Sequence, residues 1–398
     1  MDPTPAAPPI RAASRSEVPP SAWDRLCGPG DLYSTHRWLG VVERADGRAT
    51  RLLLAEDGGA AAGLAAVLAD ARTERTSDRA DRLVAEADPA GVPEEWRRDP
   101  ASLLPVLVCG GRHNGRSRVL TAGRGADGLT GALVARAERE AAEAGAASVC
   151  FPYVDAADTA LREVLARRGY TAFPVGPDHR LDVAPDGFEG YLAGLSRVRR
   201  KSVRAERRRI ERAGVEVRAG PLAGAPLQVL AELERLGEEK YGRRRDPARA
   251  AAHLGEVAEA FGDRALALTA HAGGAVRGFS LLLSHRDRWY LRTSGFDYAF
   301  QRTLPLYFEL YFYRPVELAA AHGAGAIVYE LGSDEAKRSR GCRAFPQYCH
   351  VLETRPRSGA GEGRGARRAP AAEEEGPWTR RRSTGASPPS PTGTTSST

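Results

Sequence analysis

Three lysines stand among fifty-five arginines in this chain of 398 residues, at Lys201, Lys240 and Lys337. An ammonium retained in such a background is a compact point charge with a tunable pKa, which a guanidinium does not imitate. Lys337 lies in Lys337-Arg-Ser-Arg340-Gly341, and a preorganised cation can stabilise negative charge that develops in a transition state. A lysine in that position can equally cap the C-terminus of a helix. A positioned carboxylate can remove a proton from a nucleophile. Glu330, at the end of the apolar run Ala326 to Leu331, and Asp297, just past Leu291 to Ser294, are the candidate bases. Either can be a turn or helix-cap residue instead, and for Asp297 that is the commoner role.

A second constellation is basic. Arg197, Arg199, Arg200, Lys201, Arg204, Arg207, Arg208, Arg209 and Arg212 fall within sixteen residues. At helical spacing Arg197, Arg200, Arg204 and Arg208 share a face. Such a stripe can hold a diphosphate or follow a nucleic-acid backbone, with strong salt dependence. A solvated basic helix is the alternative, with Leu195, Val198, Val203 and Ile210 as its buried side. Tyr290, Arg292, Arg340 and Gly341 complete the candidate substrate- or phosphate-binding residues. Tyr307 and Tyr311 suit either a substrate groove or an apolar core.

The five cysteines are scattered, with no CxxC pair and no histidine cluster of ligand type, so the expectation is buried thiols and no metal. A net charge of +7 points towards anionic partners without bearing on the fold. No apolar run approaches the roughly 20 residues of a membrane span. The N-terminus has an early acid, several prolines and no apolar core of a secretory signal, which predicts a cytoplasmic protein without membrane insertion.

These side chains must be carried by a repeated framework. Ala55-Glu-Asp-Gly-Gly-Ala-Ala-Ala-Gly-Leu64 matches Ala270-His-Ala-Gly-Gly-Ala-Val-Arg-Gly-Phe279, each between apolar runs, and reads as a β-hairpin occurring twice. Gly145-Ala-Ala-Ser-Val-Cys-Phe and Gly323-Ala-Gly-Ala-Ile-Val-Tyr each read as a glycine stop between helix and buried strand. Arg168-Gly-Tyr-Thr-Ala-Phe-Pro then recurs as Arg340-Gly-Cys-Arg-Ala-Phe-Pro, setting Lys337 against Leu165. The expected architecture is α/β (α+β), two tandem copies of a mixed sheet flanked by helices. The boundaries are a disordered tail at 1–20, a first domain at 21–183, a second at 184–354 opening with the basic helix, and a disordered tail at 355–398. The polar run Asp70 to Pro100 reads as a surface insertion, and about Phe188 to Ala213 as one long helix.

The chain resembles tandem GNAT-fold acyltransferases of the FemAB/FemX-like group. The resemblance is carried by Leu195-Ser-Arg-Val-Arg-Arg-Lys-Ser-Val-Arg-Ala-Glu-Arg-Arg-Arg running into Gly214-Val-Glu-Val, by Trp289-Tyr-Leu-Arg-Thr-Ser-Gly, by the helix after Leu304-Pro305 and by Lys337-Arg-Ser-Arg-Gly341. It covers roughly Ala22 to Leu352. It implies two GNAT-like domains, the first degenerate and the second active. It also implies transfer of an acyl or aminoacyl group, from acyl-CoA (acetyl-CoA) or aminoacyl-tRNA, to a small-molecule amine of a cell-wall precursor or secondary metabolite. Lys337 would then face the donor and acceptor phosphates or the developing oxyanion. The Arg/Gln-x-x-Gly-x-Gly/Ala phosphate loop of ordinary GNAT enzymes has no match. Arg124-Gly-Ala-Asp-Gly-Leu and Gln301-Arg-Thr-Leu-Pro-Leu occupy plausible places without the pattern. A competing expectation is a non-catalytic nucleic-acid-binding protein using 197–212, although no aromatic residues are interleaved there for base stacking.

Overall fold

Both repeated hairpins form as the glycines require. In the computed structural model, which describes residues 9–354 apart from 58, 114, 115, 124, 127, 241 and 303, β2 (Arg51–Asp57) and β3 (Ala60–Ala69) make the first. The second pairs β9 (Ala265–Ala272) with β10 (Ala275–His285), and Gly273 and Gly274 turn it at φ 59° and 76°. The remaining strands are β1 (Ile10–Ser14), β4 (Val106–Cys109), β5 (Leu120–Ala122), β6 (Ser148–Asp155), β7 (Thr171–Asp182), β8 (Glu216–Pro221), β11 (Arg288–Phe296), β12 (Ala326–Glu330) and β13 (Arg343–Glu353). They join into one mixed sheet in the order β1-β2-β3-β4-β6-β13-β7-β12-β11-β10-β9-β8, with β5 paired to β3. This is the tandem GNAT-like α/β layout, and its two copies meet within the sheet. The last strand, β13, lies between β6 and β7, so the second copy lends its final strand to the first.

Three expectations change. Residues 9–20 are not a disordered tail: Ile10 to Ser14 pair residue by residue with Ala55 to Arg51, leaving Ala13 buried. The polar run 70–100 is not a surface appendage. Its few apolar residues, Ala80, Leu83, Val84, Val92 and Trp96, are spaced to pack together against Val67, Val108 and Phe173 on one face of the sheet. The segment 188–213 is two helices, Gly187–Ala193 and Arg197–Arg212, broken where the Ser196 hydroxyl accepts the Arg199 N–H at 3.2 Å. The tail 355–398, and Arg124 and Thr303 of the two loop candidates, lie outside the described residues.

Helix and sheet approach closely at Gly295. A β-carbon there would stand 2.5 Å from the backbone of Leu233 and Glu234 in the helix Leu227–Lys240. Two backbones cannot yield as side chains do, so Gly295→Ala is expected to destabilise by about 1–3 kcal/mol or more, read as a lower urea midpoint with an unchanged slope. The same approach lets Thr293 donate to Glu234 at 2.8 Å.

Candidate functional site

The site forms where β12 ends beside Asp178 and Arg180 of β7, the start of β11, the loop after β4 and the segment 28–34. Asp31, Tyr33, Arg116, Asp178, Arg180, Arg288, Tyr290 and Glu330 line one pocket there. The loop after β4 is tightly folded because two glycines permit it. Gly110 has φ 108° and Ser117 against its α-carbon, and Gly111 lies against the Arg116 carbonyl. The loop is anchored by Arg112, which is buried and paired with Asp46 at 2.5 Å and Asp78 at 3.0 Å. The Arg112 backbone N–H donates to the Tyr33 carbonyl at 3.1 Å, and its own carbonyl accepts from the Trp38 indole at 3.1 Å. Tyr33, Trp38 and His113 therefore pack ring to ring, with centroids 4.3 to 5.8 Å apart.

Glu330 reaches into this cluster from the far half of the sequence. Its carboxylate accepts the Tyr33 hydroxyl on one oxygen and His113 Nε2, at 2.8 Å, on the other. Burial pushes the Tyr33 hydroxyl well above its ordinary pKa, with the Glu330 charge adding to the effect. Burial also lowers the His113 pKa, outweighing the opposite pull of Glu330; a carboxylate only accepts, so Nε2 carries the donated hydrogen.

Asp178, on β7, is fully buried beside Glu330. One oxygen accepts Arg180 Nε at 2.8 Å, while Oδ1 has no hydrogen-bond partner among the described residues. Burial raises its pKa, opposed by the Arg180 guanidinium. Arg180 and Arg116 share Asp155 at 3.2 and 3.3 Å. The pocket thus joins a carboxylate with a vacant acceptor, a second carboxylate held by two donors, and guanidiniums at its edge.

Of the residues singled out in the sequence, Glu330 and Tyr290 line this pocket, Tyr290 donating to the Pro29 carbonyl at 2.7 Å. Arg292 lies nearby, its guanidinium 5.2 Å from the Trp38 ring centre. Lys337 is neither a surface cap nor open to an oxyanion. It is 1% exposed, and its ammonium donates to the carbonyls of Tyr329, Glu330 and Leu331 at 2.7, 2.9 and 2.7 Å. Burial lowers its pKa to about 8, against the attraction of Glu330.

Asp297 caps the helix Tyr298–Gln301 and is not among the residues lining the pocket. It accepts the Phe300 N–H at 3.0 Å and pairs with Arg277 at 2.8 Å, which hold its pKa below the usual carboxylate value. Arg200 caps the preceding helix through the Ala193 and Leu195 carbonyls, so it leaves the proposed stripe. Arg197, Lys201, Arg204 and Arg208 remain outward-facing on the helix Arg197–Arg212. Val198 is 81% exposed, so the buried side is Leu195, Val203 and Ile210. Arg340 is buried, its guanidinium 3.2 Å from the Phe308 ring centre and 3.4 Å from Glu206, while Gly341 at φ 86° turns the chain into β13. Tyr307 and Tyr311 stack at 4.8 Å beside the core.

Sequence reading missed Asp178, His113, Arg116 and Tyr33. The run Cys109-Gly-Gly-Arg-His-Asn-Gly-Arg116 was one available signal, since clustered glycines with polar residues mark a loop that can present side chains. Asp178-His179-Arg180 was another. All five cysteines are free and buried. Among the described residues no three His, Cys, Asp or Glu side chains cluster as metal ligands, and no helix is long and apolar enough to cross a membrane.

The sheet of fused copies is a GNAT-like fold, and the pocket beside it gathers carboxylates and guanidiniums. The chain belongs to the FemAB-like family, described as peptidoglycan biosynthesis/recognition, whose model matches residues 113–357. No curated protein matches it. Among solved structures it is similar to FemX, at 13% identity with a TM-score of 0.58 over 86% of this chain and 96% of that one. It is also similar to L-PGS from Bacillus licheniformis, at 14% identity and TM-score 0.51 over 85% and 92%. A conserved protein of unknown function from Bacteroides thetaiotaomicron VPI-5482 gives 11% identity and 0.51 over 87% and 100%. At these identities the likeness establishes the shared fold.

Proposed function

We propose that the protein transfers an aminoacyl group from aminoacyl-tRNA to the amine of a cell-wall precursor, with Asp178 as general base. The observation that carries this reading is the vacant Oδ1 of Asp178, a buried proton acceptor in a pocket shared with Glu330. The acceptor ammonium sits between the two carboxylates and loses its proton to Asp178. The amine nitrogen then bonds to the ester carbonyl carbon, the bond from that carbon to the ribose oxygen breaks, and the leaving oxygen takes up the second proton that the nitrogen sheds on becoming an amide. Two further features support the tRNA donor: the family match and the outward stripe Arg197, Lys201, Arg204 and Arg208. The missing acyl-CoA phosphate loop points the same way.

The second reading, a non-catalytic nucleic-acid binder, uses the same stripe. The two separate in one experiment, binding of charged and uncharged tRNA and of acetyl-CoA at two salt concentrations. The transferase should prefer charged tRNA, and Arg204→Ala with Arg208→Ala should lower the salt slope by about one unit for each phosphate no longer neutralised. Equal affinity for charged and uncharged tRNA would favour the plain binder. Saturable acetyl-CoA binding would replace the donor.

A further inference from the structure

The backbone at Glu330 departs from strand geometry. In a strand successive carbonyls point to opposite sides. Here three successive carbonyls, from Tyr329, Glu330 and Leu331, converge on one ammonium. The reversal is made at Glu330, whose φ is 57°. A residue with a β-carbon takes up this left-handed conformation at a free-energy cost, so its surroundings must hold it there.

The other copy makes a similar left-handed step at Tyr153 in β6, φ 56°, where the Tyr153 carbonyl accepts the Ser117 N–H at 3.1 Å. Leu165, which the repeat aligns with Lys337, is fully buried in apolar packing there. The lysine therefore answers to the particular turn in the second copy. It is held by a second fastening too, since His179 bridges the Glu330 carbonyl at 3.0 Å and Asp334 at 2.7 Å.

We infer that Lys337 is the positioning residue of the site: its ammonium holds the left-handed turn that delivers the Glu330 carboxylate to Tyr33 and His113. It does not touch substrate, because all three donors are spent on carbonyls. A compact ammonium presents three donors from one nitrogen at the end of a shorter side chain, a geometry that a longer planar guanidinium does not reproduce in this buried space. The inference rests on the reading of the Glu330 pocket as the reaction site. Its test is made on the full chain without any ligand, so the two can fail separately.

The test follows His113 by imidazole NMR, with His113→Asn for assignment. Glu330→Gln removes the carboxylate bonded to Nε2 and should lower the His113 pKa by about one unit or more. Lys337→Met should shift His113 in the same direction, and the double variant should shift it no further than Glu330→Gln alone. A wild-type His113 titration in folded Lys337→Met would overturn the inference. Should that variant fail to fold, the wild-type Lys337 side chain gives the answer, since only three lysines need assigning. Slowly exchanging Nζ protons with couplings to the 329–331 carbonyls are expected. A solvent-exchanging Nζ would overturn it.

Discussion

Asp178→Asn should lower turnover by about 10²- to 10⁴-fold, the usual worth of a positioned base, while the protein remains folded. Asparagine keeps the shape and can still accept Arg180 Nε through its carbonyl oxygen, and Arg180 retains Asp155 at 3.2 Å. The substitution removes a buried carboxylate whose Oδ1 has no hydrogen-bond partner among the described residues. The sign of the pH effect follows from its raised pKa. Between the ordinary carboxylate pKa and the raised one, the folded protein binds a proton that the unfolded chain has released. This group's contribution to stability therefore falls as pH rises through that window. Turnover has the opposite sign, because the base must be ionised, so the rate should climb with pH over the same window. Asp178→Asn should flatten that part of the stability profile and remove the rate limb. Unfolding midpoints and single-turnover rates from pH 4 to 8 test both. A variant with full turnover would eliminate Asp178 as the base.

Arg112→Met should be the most damaging substitution for the fold, at about 3–5 kcal/mol, because it leaves a buried acid without its partner. Asp78 is 1% exposed at its side chain and would keep Arg75, 3.8 Å away, and the Ser77 hydroxyl at 3.4 Å, neither as close as Arg112, and Asp46 would be deprived of its ion pair at 2.5 Å. The damage also reaches the site. Arg112 anchors the loop that places His113, and its backbone pins Tyr33 and Trp38. The expected outcome is a large drop in urea midpoint together with release of Tyr33 and His113 from Glu330, seen as exchange-broadened His113 resonances. A midpoint within 1 kcal/mol of wild type would show that the two acids find other partners.

Local patterns were legible without the structure because they depend on neighbours in sequence. The glycine turns of both hairpins, the helix stops at Gly145 and Gly323 and the turns at Gly169 and Gly341 all adopt positive φ, from 59° to 89° where described. The strands that follow Gly145 and Gly323 were also placed by those stops. The FemAB-like framework followed from the order of those pieces. Polar-looking stretches were harder to read. The 70–100 run hides its core residues among charges, and the short strand Ile10–Ser14 becomes a strand only through β2.

The candidate site was legible in part for the same reason. Glu330 was marked by its place at a strand end, yet its partners Tyr33 and His113 stand 297 and 217 positions away. No periodicity encodes such a meeting. Sequence by itself determined the repeated units, their turns and the presence of an isolated lysine at 337. Only the tertiary structure decided that β13 crosses into the first copy, that Asp178 is buried with a vacant oxygen, and that Lys337 faces backbone rather than substrate. Backbone propensities act over a few residues, whereas burial and side-chain convergence arise when distant segments close on one another, and these set the chemistry of the pocket.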